Sequence, residues 1–280
     1  MHLIMLLSAL AIAWCLRSFP LTTEGNWQQR WQRSLFVFLF PPLIIITTVL
    51  AILLMGAQGK MLGMQATVFS YWLGLAFIFY LGWHLYKLAV LAWLSQQKIA
   101  TYPEQIIQGK KIRFLKIDLP YIAQIGFWQP QLVVSQGLLN ILDEAQLEAV
   151  LAHEQAHLRY RDTFCFFWLG WLRTCTSWLI NTENLWEELL LLREIRADLE
   201  AAKTVDALIL AESLLTVAQT SLQPAFCFEA GFSLPLRANR LAQRVDALIN
   251  NATLPNSPNL VYWSWLLLLL IPWATIPFHC

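Results

Sequence analysis

Two apolar stretches constrain this chain more than anything else in it: Leu35 to Met55 and Val68 to Leu94, in which Lys87 is the only Lys, Arg, Asp or Glu. A helix rises 1.5 Å per residue, so about 20 residues cross roughly 30 Å of hydrocarbon, and both stretches are long enough. Leu260 to Phe278 approaches the lower limit. Met1 to Leu16 is short for a span and has the length of a signal peptide, but it lacks a basic n-region and a small-residue cleavage site before Arg17. It reads as an uncleaved first helix. With 58% hydrophobic residues, fourteen tryptophans and only 13% charged residues, the chain departs from soluble domains, in which about a quarter of residues are charged.

The expected architecture is therefore mainly α: a polytopic membrane protein with about four transmembrane helices. Residues 1–94 form an N-terminal membrane region with helices near 1–16, 35–55 and 68–94. Residues 95–259 form a domain on one side of the bilayer, and 260–280 the C-terminal transmembrane helix. If all four spans cross, every Lys and Arg except Lys60 and Lys87 falls on one side. Basic loops mark the cytoplasmic face, so that domain is expected in the cytoplasm and both chain termini outside. Lys87 lies near the inner end of its span, where it can snorkel. His84 and His279 fall at membrane boundaries and read as interfacial.

A fifth apolar stretch, Phe164 to Ile180, is interrupted by Arg173 and followed by polar Asn181 to Asn184. A single crossing there would carry everything after it to the outer side. It reads instead as packed on a neighbouring helix or lying in the membrane interface. The five cysteines, Cys15, Cys165, Cys175, Cys227 and Cys280, have no CxxC spacing and read as small apolar packing residues. The net charge of +1, and the absence of a basic stripe interleaved with aromatics, give no reason to expect direct nucleic-acid binding.

The chemistry lies in the domain. His153-Glu154-Gln155-Ala156-His157 spells HExxH inside a stretch, LEAVLAHEQAHL, with helical periodicity. Residues four apart on a helix stand one above the other, so His153 and His157 can present two imidazoles to one zinc ion, with Glu154 beside it as general base. The alternative is an amphipathic helix whose histidines face solvent or satisfy polar groups. A third ligand should be an Asp, Glu or His on a second helix. The stretch Leu185 to Ala202 is helical in pattern and offers Glu187, Glu188, Glu194, Asp198 and Glu200. Glu194 and Asp198 share one face, which allows one carboxylate to bind metal and the other to hold an imidazole. The competing reading, a solvated charged face paired with Arg193 and Arg196, is preferred for Glu187, Glu188 and Glu200.

HEQAH and Glu194-Ile-Arg-Ala-Asp198-Leu-Glu-Ala201 together resemble the HExxH and ExxxDxxA motifs of membrane-embedded gluzincins. The text from Ile125 to Asp162 resembles the core of the BlaR/MecR-type antirepressor metallopeptidases, in which similar text also follows three helices. The likeness extends loosely from Met1 to about Ile249 and is sharp between Gly126 and Ala202. HtpX-type heat-shock proteases share both motifs but usually place a transmembrane hairpin between them.

The resemblance implies a cytoplasmic gluzincin-type zinc protease domain. His153, His157 and Glu194 would bind one Zn2+, Glu154 would activate water, and Asp198 would orient a histidine. Arg237 and Arg240 resemble a basic element that follows the third ligand in the family; their other reading is an amphipathic helix facing solvent or lipid headgroups. Beta-lactam sensors carry an extracellular domain after the last helix, whereas this sequence stops at Cys280, so drug sensing is not expected.

Gln131 to Ser135 (QLVVS) reads as a short strand before the zinc helix. As an edge strand, it could pair with an extended peptide, which makes Gln131 and Val133 candidate substrate contacts beside Arg240. Gly126 and Gly137 punctuate its ends and receive backbone roles only. The preferred function is a membrane-bound endopeptidase that cleaves a cytoplasmic protein, such as a transcriptional repressor. A membrane quality-control protease and a non-enzymatic metal-binding sensor or scaffold are the alternatives. No oxyanion donor is identifiable from the sequence.

Overall fold

The computed structural model describes residues 1–19, 25–61, 64–65, 68–221, 234–250 and 260–278. Cys227, His279 and Cys280 lie outside the described residues, as does the side chain of Arg237. Packing divides the chain into two compact units: residues 1–88, 168–189 and 255–280, and residues 89–167 and 190–254. The segment 168–189, which the sequence places in the cytoplasmic domain, is grouped with the N-terminal helices.

The first unit is helical. Helix α1 spans His2–Ser18 and α2 Trp27–Met55; a short hairpin, β1 Lys60–Met61 and β2 Met64–Gln65, precedes α3, Val68–Ala100, whose residues from 89 onward belong to the second unit. Helices α2 and α3 are long and apolar enough to cross a membrane. The expected span at 35–55 thus begins earlier, where Asn26 caps α2 by accepting from the Gln29 amide at 2.9 Å. Small Ala9 and Ala13, one turn apart, let α1 pack closely on Ile45, Val49 and Ile52 of α2.

Helix α2 continues through Pro41 and Pro42. Pro42 has no amide to give the carbonyl of Phe38, four residues back. Arg17 supplies the donor: its Nη2 reaches Phe38 O at 3.1 Å while Nη1 donates to Thr182 Oγ1 at 3.1 Å. The bland composition of α2 thus hides a specific need that a buried cation answers.

The C-terminal apolar segment differs from the expected transmembrane α-helix over 260–280. It forms 3-10 turns over Leu260–Leu270, a single α turn (α10) over Ile271–Ala274, and a further 3-10 turn over Ile276–Phe278. Pro272 and Pro277 remove two of the amides a continuous helix would use. Trp265 and Leu269 pack on Phe40 and Ile44.

The second unit combines a four-stranded sheet with helices. Strands β3 Glu104–Ile107, β4 Lys110–Leu115, β5 Ile122–Ile125 and β6 Gln131–Ser135 are followed by α4 Gln136–Ile141, α5 Glu144–Arg159, α6 Asp162–Cys175, α7 Thr182–Ala201, α8 Ala207–Ser221 and α9 Leu234–Ile249, of which residues 168–175 of α6 and 182–189 of α7 are grouped with the first unit. At 14 residues, α6 is about 21 Å long, short of a bilayer core.

The sheet order is β3-β4-β6-β5, with β6 parallel to β4 and antiparallel to β5. This corrects the expectation that Gln131 to Ser135 is an edge strand. QLVVS is a strand, but an internal one: Val133 is 1% exposed, and Gln131 accepts from Arg113 Nε at 2.9 Å. Its run of apolar residues suits a strand covered on both sides. The edges are β3 and β5.

The core joins Ile112, Leu132 and Val134 of the sheet to Leu138, Val150 and Leu151. Ser135 ties strand to helix, accepting from the Leu138 amide and donating to Leu119 O. A second cluster, Ala149, Ala201, Leu210, Ala211 and Leu248, brings α5, α7, α8 and α9 together; its small alanines permit close approach of the helices that carry the functional residues.

Candidate metal centre

Helix α5 begins in a capping box: Asp143 accepts from the Gln146 amide at 2.8 Å, and Gln146 Oε1 accepts from the Asp143 amide at 3.3 Å. The cap fixes where the helix starts, and so which face carries His153 and His157. Their Nε2 atoms lie 3.0 Å apart. Glu194, from α7, puts Oε2 3.4 Å from His153 Nε2 and Oε1 3.7 Å from His157 Nε2. The ligand atoms of these three residues all fall within 4.8 Å of one another.

These spacings fit zinc. Ligand bonds of about 2.0–2.1 Å in a tetrahedron require ligand atoms roughly 3.3 Å apart, close to the three distances found. A carboxylate lies beside Nδ1 of each imidazole. His153 Nδ1 lies 2.8 Å from Asp198 Oδ1, and His157 Nδ1 lies 2.7 Å from Asp162 Oδ2. With each Nδ1–H toward its carboxylate, both Nε2 lone pairs would face the same point, where a metal ion could take both.

Asp162 was not anticipated. It reaches back to His157 because Arg161, with φ 51°, takes a left-handed conformation just after α5 and reverses the chain. Arg196 pairs with the other oxygen of Asp162. Arg244 of α9 is a second residue that the sequence reading missed: Nε and Nη2 fork onto Asp198 at 2.7 and 2.8 Å, and Nη1 lies 3.5 Å from Glu194 Oε2. Arg193 also pairs with Glu194, at 2.6 Å.

Glu188 and Glu200 pair with residues other than Arg193 and Arg196. Glu188 takes a bidentate contact from Arg30 at 2.8 and 3.0 Å, and Glu200 meets Arg159, Tyr160 and Lys203.

The charges respond to this arrangement. For Glu194, burial opposes ionisation, but Arg193, both histidines and Arg244 outweigh it and hold the carboxyl well below its usual range. Asp198 is lowered against burial by Arg244 and His153. Burial likewise opposes protonation of His153, yet Asp198 and Glu194 lift its pKa to about 9. His157 is raised against burial by Asp162 and Glu194. Glu154, 6% exposed, is raised by burial, an effect that the histidines partly offset. A carboxylate whose proton affinity is raised is a better base.

A cleft of about 470 Å3 opens on His153, Glu154 and Glu194. Ile122 of β5 lies on one side, and Leu214, Val217 and Leu241 make much of the wall. Of the three candidate substrate contacts, Arg240 lines the cleft, whereas Gln131 and Val133 do not.

Residues 122–229, short of half the chain, match the family model of Peptidase family M48, a metallopeptidase family. The matched segment begins at β5 and contains His153, Glu154, His157, Asp162, Glu194 and Asp198. No curated protein and no solved structure matches the chain.

Proposed function

We propose that the chain is a membrane-bound zinc endopeptidase of the gluzincin type, akin to the BlaR/MecR antirepressor proteases, acting on a cytoplasmic protein such as a transcriptional repressor. The convergence of His153, His157 and Glu194 on one point, with Glu154 beside it in an open cleft, carries this reading. Bound there, zinc would supply Lewis-acid polarisation of the scissile carbonyl and bring the pKa of water toward 7. Glu154 takes the proton of the attacking water and delivers it to the leaving amine. Asp198 and Asp162 keep the imidazoles oriented.

A peptide substrate would add to β5. Ser135 N donates to Tyr121 O at 2.9 Å, and the register pairs Ala123 with Val133. Alternation along an antiparallel pair then turns the backbone groups of Ile122 and Gln124 to the side away from β6. An extended peptide bonded there runs past Glu154, with its side chains toward the apolar wall. The length and apolarity of α2 and α3 support a place in the membrane, and the distribution of Lys and Arg supports a cytoplasmic site.

The purified chain should hold about one zinc per molecule. Glu154→Gln should keep the metal and lose roughly 10²- to 10⁴-fold in peptide hydrolysis. Hydrolysis by that variant at the wild-type rate overturns the reading. Trapping with the same variant in cells should identify the substrate.

A further inference from the structure

The turn between β5 and β6, Gly126 to Pro130, carries Phe127 and Trp128. Gly126 has φ 138°, and a Cβ there would stand 2.9 Å from Pro130 Cα and 3.0 Å from Gln129 O, so the turn is tight and needs glycine. The same Cβ would stand 3.2 Å from the Gln96 side-chain amide, which places the turn beside the end of α3.

That part of α3 is where its apolar surface stops. Leu91, Trp93 and Leu94 are 61%, 58% and 50% exposed, and Ser95, Gln96, Gln97 and Lys98 follow. Trp128 is 74% exposed, yet it is not loose. Its ring lies 5.2 Å from that of Phe164, while Phe127 packs 5.0 Å from Phe164 and 4.7 Å from Phe167. A rigid aromatic tip in water exposes apolar area at a cost, whereas at the boundary between headgroups and hydrocarbon an indole is well solvated at both ends. Exposed Lys98 and Arg161, close in sequence to Gln96 and Phe164, suit the phosphates of that layer.

We infer that the Phe127–Trp128 tip is a membrane-interface anchor, seated in the bilayer where the apolar surface of α3 ends. The inference rests on the reading of α3 as a membrane span. It narrows the substrate class, because β5 leads from Ile122 of the cleft to the tip over four residues, about 13 Å. A peptide lying along β5 then has one end near the lipid surface, so the cleaved segment is membrane-proximal.

The test places the photocrosslinker p-benzoylphenylalanine at position 128, and separately at position 79 within α3, in the full chain reconstituted in phospholipid nanodiscs. Illumination should add the mass of one phospholipid at both positions. An adduct at 79 without one at 128 overturns the anchor and leaves the span intact. Adducts at neither position overturn the span reading and the anchor with it. Zinc content, measured on the same samples, reports on the peptidase reading independently.

Discussion

Arg244 and Asp198 form a two-bond fork, with Nε and Nη2 2.7 and 2.8 Å from the carboxylate of a residue that is itself fully buried. The same carboxylate meets His153 Nδ1 at 2.8 Å. The guanidinium of α9 therefore holds, at one remove, an imidazole of the proposed metal site. Removing it in Arg244→Met should leave Asp198 buried without its cation, destabilise the fold by about 3–5 kcal/mol and weaken zinc binding about 10- to 100-fold. Arg244→Lys keeps the charge but not the fork and should fall between. Chelator competition and thermal unfolding read both effects; wild-type zinc affinity in both variants would detach Arg244 from the site.

Asp162 performs the matching task for His157, and Arg196 holds it in place. Asp162→Ala should weaken zinc binding by about 10- to 100-fold while leaving Glu154 and the cleft in place. Because His157 then loses its orienting partner, kcat should fall even at saturating zinc. Full activity once zinc is restored would show that Asp162 serves stability alone.

The histidines predict opposite pH behaviour with and without metal. In chelated protein, Asp198 and Glu194 overcome burial and lift the His153 pKa to about 9, above an unfolded value of about 6.5. A raised pKa contributes stability that is complete below about pH 6.5 and is lost as pH climbs through 9. His157 shifts in the same direction. Zinc requires both imidazoles unprotonated, so its affinity should tighten across the same window. Melting temperature of the chelated protein and zinc Kd, each followed from pH 6 to 9, check the two slopes; a melting temperature that rises with pH in chelated protein contradicts the assignment.

These cases show why some of the site was legible in the sequence and some was not. His153 and His157 share one helix, so their spacing alone sets their geometry, and Glu194 with Asp198 repeats that logic on α7. Asp162 depends on a left-handed residue that no propensity assigns to an arginine. Arg244 arrives from a separate helix with no local pattern linking it to Asp198. The edge strand was misplaced for a similar reason. QLVVS is the stronger strand signal because it is internal, while the two edges, EQII and IAQI, are short and carry polar residues. Strand order is a property of the whole sheet and leaves little trace in either segment.

Gly137 tests the packing of the loop between β4 and β5 against the start of α4. A Cβ at this position would stand 2.0 Å from Asp118 O and 2.3 Å from its carbonyl carbon, both backbone atoms. The Gly137 amide also donates to Ile117 O at 2.9 Å, so the two segments cannot separate without losing that bond. Gly137→Ala should destabilise the fold by about 3 kcal/mol or more. Gly82→Ala, where a Cβ meets nothing within 4 Å, is the matched control and should gain or lose little. Equal unfolding midpoints for the two variants would contradict the close approach.

The assignment of β5 as the substrate edge yields the most discriminating pair of substitutions. The amide of Gln124 faces away from β6, so Gln124→Pro removes a hydrogen bond to a bound peptide without breaking the β5–β6 ladder. Ala123→Pro, one residue earlier, removes an amide that belongs to the ladder opposite Val133. The first variant should keep its zinc and its melting temperature while KM for a peptide rises about fivefold, the worth of one net hydrogen bond of about 1 kcal/mol. The second should unfold more readily whatever it does to catalysis. Steady-state kinetics alongside thermal unfolding separates them. An unchanged KM in a stable Gln124→Pro enzyme would place the substrate somewhere other than along β5.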